Sequence, residues 1–176
     1  MKNAAMMIRP ESPEDLPGIH RVNELAFGRP EEADLVDALR EQARPFLSLM
    51  ADQDGQVVGH ICFTPVTIES EDGSSTAMGL APMAVLPGLQ NEGIGSALVR
   101  RGLEECRQLG HDVVVVLGHS EYYPRFGFIP ASRKGLRSEY PVPDEVFMVA
   151  ELSPGALAGR TGLVKYHPAF GGVGEV

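Results

Sequence analysis

Residues 80–109 constrain this chain more than any other stretch: an apolar run, Leu-Ala-Pro-Met-Ala-Val-Leu-Pro, passes into Gly-Leu-Gln-Asn-Glu-Gly-Ile-Gly-Ser and then into an amphipathic segment ending at Leu109. A strand that enters a helix through a glycine-bearing turn aims several backbone N–H groups at one small volume, which suits an anion. The following run, Asp112-Val113-Val114-Val115-Val116-Leu117, is β-branched and unbroken, the pattern of a strand buried on both faces. Strand, helix and strand make one right-handed crossover, so residues 81–85 and 113–117 are expected to run parallel. Pro82 lies inside the first of these strands; having no N–H for a ladder, it marks a bulge or a place where neighbouring strands part.

The rest of the chain is read by what it adds to this unit. Ile8-Arg9-Pro10 is a short first strand, and Ser12-Pro13-Glu14-Asp15 starts a helix with an N-cap, a first-turn proline and carboxylates over the positive end. Leu16, Ile19, Val22 or Asn23, and Phe27 form its inward face, and Gly28-Arg29-Pro30 ends it. A second helix covers residues 31–42. Strands at 47–51 and 57–69 flank the turn Asp52-Gln53-Asp54-Gly55, and Glu71-Asp72-Gly73-Ser74 leads into a third at 76–85. In the helix after the glycine turn, Ile94, Ala97, Leu98, Leu103, Cys106 and Leu109 make the expected inward stripe. Residues 131–143 read as a long polar loop suited to substrate contact, 146–152 as the last firm strand, and 163–166 as a short one before a Gly-rich, mobile end. The expected architecture is α/β: a single mixed, mostly antiparallel central sheet flanked by helices, in one domain over residues 1–176 with a core at about 8–152 and an extension at 153–176.

Composition narrows the partners. A net charge of −9 argues against a nucleic-acid surface and is compatible with a cationic small-molecule or peptide substrate. The longest strongly apolar run, residues 113–117, is far short of the roughly 20 residues that span a bilayer. Residues 1–7 lack the pattern of a secretory signal, and Cys62 and Cys106 read as reduced core thiols, so a cytoplasmic protein without a membrane partner is expected. Scattered histidines and two distant cysteines give no metal-binding pattern, and neither a monomer nor a homodimer is singled out.

Three readings of the glycine turn compete. One is a tight strand-to-helix turn without a ligand. The second is a dinucleotide-binding turn; it fits poorly because Leu98 occupies the third glycine position and Leu117-Gly118 stand where an acidic residue is wanted. The third draws on Gln90-Asn91-Glu92-Gly93-Ile94-Gly95, preceded by Met83-Ala84-Val85-Leu86-Pro87, and on Tyr123-Pro124-Arg125-Phe126-Gly127-Phe128 downstream. These resemble the Gln/Arg-x-x-Gly-x-Gly/Ala turn and the Tyr-x-x-x-Gly-Phe segment of the GNAT superfamily of acyl-coenzyme A dependent N-acyltransferases, over roughly residues 8–152. The likeness is to a bacterial subgroup of small members, mostly without an assigned substrate.

The resemblance implies an acetyl-coenzyme A dependent N-acetyltransferase that moves the acetyl group to a primary amine by direct attack on the thioester, with no metal. It places the coenzyme A pyrophosphate on the amides of Asn91, Glu92, Gly93, Ile94, Gly95 and Ser96, with Gln90 fixing the turn. The pantetheine arm would pair with Met83, Ala84 and Val85 where the fourth and fifth strands part, and Arg125 and Phe126 would also meet the cofactor. Tyr123 would be the general acid for the thiolate, since a phenol keeps its proton at neutral pH. No carboxylate lies between Thr76 and Leu89 to serve as the base many members carry. His60, His119, Glu69, Glu24 and Glu121 qualify by residue type alone. That gap keeps a second reading open, a non-catalytic acyl-coenzyme A binding or regulatory module of the same fold.

Overall fold

Residues 5–172 are described by a computed structural model, and their centre is a sheet built outward from the strand, turn and helix picked out above. Seven strands follow one path in the order β1 (Met6–Pro10), β2 (Leu47–Gln53), β3 (Gln56–Ser70), β4 (Gly73–Val85), β5 (Val113–Leu117), then β8 (Phe147–Glu151) and β6 (Ile129–Pro130). Two short strands, β7 (Leu136–Ser138) and β9 (Gly162–Lys165), pair with each other, and β9 also pairs with β3. Only β4–β5 and β7–β9 are parallel; every other pair is antiparallel. The architecture is the mixed, mostly antiparallel α/β sheet expected.

Both turn clusters close the hairpins they suggested, Asp52 to Gly55 joining β2 to β3 and Glu71 to Gly73 joining β3 to β4. Helices α1 (Leu16–Phe27) and α2 (Glu31–Gln42) cover one face, where Ile19, Val22, Val36 and Leu39 pack with Met50, Cys62 and Ala84. Asp15 caps the entry to α1 by accepting the Ser12 N–H at 2.8 Å while Arg9 holds both its oxygens at 2.7 and 2.9 Å. The inward face of α1 is Ile19, Val22 and Asn23; Phe27, in its last turn, is 36% exposed rather than buried.

Helix α3 (Ile94–Gln108) covers the opposite face. Its buried stripe is Ile94, Leu98, Val99, Gly102 and Cys106, so the expected set is corrected: Ala97 and Leu103 are half-buried, and Leu109, past the last helical turn, is 60% exposed. Gly102 belongs to the stripe because Phe63 of β3 lies against it; a Cβ there would stand 2.4 Å from the ring. Burying a side chain such as Leu98 in this layer contributes about 1.5–3 kcal/mol.

Two further differences concern the C-terminal third. The stretch 131–143 is not a featureless loop: it holds a 3-10 turn, Ala131–Lys134, and strand β7. Beyond residue 152 the short strand expected at 163–166 is present as β9, and the difference is that the core continues there: Leu157, Val164 and Tyr166 are buried against Val66, Val115 and Val149. Of the end expected to be mobile, residues 173–176 lie outside the described residues, while Pro168–Gly172 form a 3-10 turn. Cys62 and Cys106 are both buried and free, as expected of core thiols, and burial pushes the Cys106 thiol up to about 12. No helix among the described residues is long and apolar enough to cross a membrane.

Candidate functional site

The two strands of the crossover are parallel, but they are bonded at only two positions, midway along β4: Met78 pairs with Val114 and Gly79 with Val115, upstream of the expected 81–85 register. From Leu80 onward β4 keeps β3 alone, with Met83, Ala84 and Val85 opposite Ile61, His60 and Gly59. The strands therefore part, and the free edge of β4 faces a gap. The cause stands at Pro82. Ile61 pairs with Met83 and Phe63 with Leu80, so Ala81 and Pro82 together oppose Cys62. Two residues against one is a β-bulge, which bends its strand and increases the local twist, and Pro82 has no N–H to offer β5. The Cys62 thiol donates to the Ala81 carbonyl at 3.2 Å and fastens the bulge to β3.

Past the end of β4 comes the glycine turn. Asn91 and Gly93 take left-handed backbone angles, φ 64° and 89°, and Gly93 is the N-cap of α3. A Cβ at Gly93 would meet nothing within 4 Å, so the backbone angle and not space is what calls for glycine. The Gln90 side chain donates to the Val85 carbonyl at 3.2 Å, tying the turn to the strand it left. The first intrahelical bond runs from the Ala97 N–H to the Gly93 carbonyl, which leaves the N–H groups of Ile94, Gly95 and Ser96 without helical partners. Three converging donors at the positive end of a helix fit a diphosphate.

Two tyrosines stand behind this turn and differ sharply. Tyr123, in the 3-10 turn Tyr123–Phe126, is 7% exposed and packs edge-on against Phe128 at 5.6 Å between ring centroids. A Cβ on Gly118 would fall 2.3 Å from its ring, so glycine at the end of β5 is what admits it. Burial, helped by the neighbouring Tyr122 phenol, pushes the Tyr123 pKa well above its ordinary value and keeps the phenol protonated. Tyr122 reaches forward instead: its hydroxyl is 3.1 Å from Ser96 Oγ and 3.3 Å from where a Cβ of residue 95 would stand, with Met83 Cε alongside at 3.6 Å. Sequence spacing to Gly127 picked out Tyr123 and had no means of seeing that Tyr122 touches the glycine turn.

The arginines separate by contact. Arg125 lies over the Tyr122 ring at 5.5 Å and Arg100 over Phe126 at 5.2 Å, and both line an open cleft with Leu103, Arg107, Phe126 and Leu152. Arg101 is spent on Glu105 and on the Ile8 carbonyl. The structure thus gathers Met83, Tyr122, Gly95, Ser96, Arg125 and Phe126 around one end of the gap, while Asn91 and Glu92 are exposed at its rim.

None of the five base candidates is placed in the gap by a contact. His60 is fully buried between α1 and β2: Asn23 Nδ2 donates to its Nδ1 at 3.1 Å, which assigns the proton to Nε2, bonded to Ser48 Oγ at 2.9 Å. Desolvation drives its pKa down to about 3, and the nearby Glu11 and Arg40 charges oppose each other. Glu69 is exposed and pairs with Lys165 at 3.3 Å; Glu24 is exposed beside His20; His119 and Glu121 are exposed on the loop after β5. Among the described residues one set of potential metal ligands comes together, His20, Asp34 and Asp37 on α1 and α2, with donor atoms within 4.8 Å. Joining two helices, that set was invisible to sequence spacing; the 3.1 Å hydrogen bond between His20 and Asp37 accounts for its geometry.

With this geometry in place, comparisons with known proteins agree on one family. A family model described as "Acetyltransferase (GNAT) domain" matches residues 7–131. The uncharacterized N-acetyltransferase YhbS of Escherichia coli K12 is 40% identical over 166 residues, which are 94% of this chain and 98% of the relative. The crystal structure of Escherichia coli YhbS in complex with CoA aligns with a TM-score of 0.88 at 37% identity, covering 97% of this chain and 94% of that one. A GNAT family acetyltransferase from Brucella melitensis in complex with acetyl-CoA aligns at 0.78 and 38% identity, covering 96% and 99%.

Proposed function

The chain belongs to the GNAT acetyltransferase family, and on that premise we propose that it transfers an acetyl group from acetyl-coenzyme A to a primary amine, with the thioester lying in the gap between β4 and β5. The observation that carries the reading is the parting of these strands beyond Gly79 and Val115, which leaves the β4 edge at Met83 to Val85 facing a gap beside the turn at Gly93. The pyrophosphate would lie on the N–H groups of residues 91–96, Gln90 would hold the turn against Val85, and Arg125 and Phe126 would flank the nucleotide end. Relatives determined in complex with CoA and with acetyl-CoA support the choice of cosubstrate.

Acetyl-coenzyme A supplies an activated acyl carbon. A neutral amine nitrogen forms the new N–C bond as the C–S bond breaks; the proton lost from nitrogen goes to water, and the departing sulfur takes one from a phenol. A backbone N–H on the free edge of β4 would meet the oxyanion. Tyr123 is the proposed acid, because its spacing to Gly127 fits the family segment and its burial keeps the proton on. One observation favours a second reading of that role: the Tyr122 hydroxyl is the one in contact with the glycine turn. The non-catalytic module of the same fold draws its support from the sequestration of His60 and from the lack of a carboxylate on β4.

A melting experiment followed by a thiol-release assay tests the reading. Coenzyme A at about 100 times its dissociation constant stabilises by roughly 2.7 kcal/mol, a shift of several degrees for a chain of this size. Stabilisation by NAD and not by coenzyme A overturns the cofactor assignment. Release of free thiol from acetyl-coenzyme A that depends on an added amine separates an enzyme from a binding module.

A further inference from the structure

Three buried side-chain polar atoms among the described residues have no hydrogen-bond partner: Thr64 Oγ1, Tyr166 OH and Asn23 Oδ1. Two of them belong to residues set against Gly79, where the strands part. Thr64 is fully buried on β3 and pairs across the ladder with Gly79, the last residue of β4 that is bonded to β5. Directly opposed residues share one face of a sheet. On that face Tyr166, itself 8% exposed, lies over Gly79: its Cε1, two bonds from the hydroxyl oxygen, is 3.1 Å from where a Cβ of residue 79 would stand. Glycine at 79 is what lets the ring reach this point. Asn23 of α1 covers the same face two alternations along β3, against His60.

This face is the one opposite α3, so the gap between β4 and β5 has a nucleotide side at the glycine turn and a second side at Thr64 and Tyr166. Direct transfer needs a donor and an acceptor that meet from two directions. The second side is also furnished for a cation. Tyr166 packs with Tyr140 at 5.8 Å and with Phe170 at 5.4 Å, forming an aromatic wall from the segment after β7 and the turn after β9. Glu139, exposed at its edge, accepts the Tyr166 backbone N–H at 2.7 Å. Aromatic faces beside a carboxylate attract an ammonium group.

We propose that Thr64, Tyr166, Tyr140, Phe170 and Glu139 form the acceptor subsite, for a primary amine whose charged head passes Glu139 and the aromatic wall and whose nitrogen bonds to the hydroxyls of Tyr166 and Thr64. The proposal rests on the acetyltransferase reading and adds the identity of the acceptor side. Two unpartnered buried hydroxyls lower the stability of the free protein, and a bound N–H donor satisfies both.

The test uses the full chain and its Tyr166→Phe and Thr64→Val variants, with thiol release from acetyl-coenzyme A measured against tyramine, phenethylamine, putrescine and a lysine-containing peptide. Each variant loses a hydroxyl that has no partner, so its melting temperature is expected to equal or exceed that of the wild type. The KM for the best amine is expected to rise about fivefold to tenfold in each, the size of one lost hydrogen bond to a neutral amine. The KM for acetyl-coenzyme A and the melting shift given by coenzyme A are expected to stay within about twofold of wild type, since neither hydroxyl touches the glycine turn. More stable variants with an unchanged amine KM overturn the subsite and leave the cofactor reading standing. So does a wild type that coenzyme A stabilises but that uses none of these amines. A wild type that coenzyme A does not stabilise removes the cofactor reading, and the subsite falls with it.

Discussion

His60 gives the fold a built-in sensitivity to acid that is read without any substrate. In the folded chain its imidazole is neutral, enclosed by Asn23 of α1 and Ser48 of β2, with the Glu11 and Arg40 charges close by; its pKa is pushed down to about 3 by loss of solvent. In the unfolded chain it titrates near 6.5. Between those values the unfolded state binds one proton more, so the stability this site contributes is complete above the unfolded pKa and falls as pH drops towards 3. Taking the protein from pH 7.5 to pH 5 crosses about 1.5 units of that window, which removes about 2 kcal/mol. This figure depends on the unfolded value alone, provided the folded pKa stays well below 5. Asp15, held at about 2 by Arg9, is ionised at both pH values and adds little to the difference. Urea unfolding followed by far-UV circular dichroism should show the wild-type midpoint falling by about 1 M between the two conditions. His60→Gln, or His60→Leu where Gln does not pack, should lose most of that pH dependence whatever its absolute stability. The same midpoint shift in wild type and variant would show that the imidazole titrates alike in both states, and would refute the assignment of a neutral, sequestered His60.

The other expectations concern the gap and the layers beside it. Tyr123→Phe should lower turnover in the thiol-release assay by 10- to 100-fold and leave the melting shift with coenzyme A in place; full turnover in that variant, with loss in Tyr122→Phe, would transfer the acid role to Tyr122. Gly93→Ala places a Cβ at φ 89°, and should cost about 1–2 kcal/mol in thermal unfolding while weakening coenzyme A stabilisation. Gly102→Ala drives a methyl group to 2.4 Å from the Phe63 ring; a loss of about 1–3 kcal/mol, several degrees in melting temperature, is expected, with coenzyme A binding retained.

What the sequence determined by itself is local. Residues 80–117 carry a strand, a glycine turn, a helix and a buried strand because each is specified by neighbours in the chain: a φ only glycine takes freely at 93, a stripe of apolar residues at helical spacing, a β-branched run. Pro82 announced a bulge or a parting of strands, and both occur, because a missing N–H is a property of the residue and not of its surroundings. The motif segment around Tyr123 was equally legible.

Tertiary structure decided whatever depends on which segments meet. The inward stripe of α3 takes in Gly102 and leaves out Leu109 because Phe63, about forty positions away, sets the contact. His60 looked like a base by residue type; burial beside Asn23 and Ser48 makes it a neutral part of the framework. The segment after residue 152 read as an appendage, yet β9 pairs with β3 and carries Tyr166 to Gly79, where β4 and β5 part. The proposed donor side is a contiguous motif in the chain, since a turn can gather its own amides. The proposed acceptor side draws on β3, the segment after β7 and the residues after β9, and only the folded sheet brings those three together.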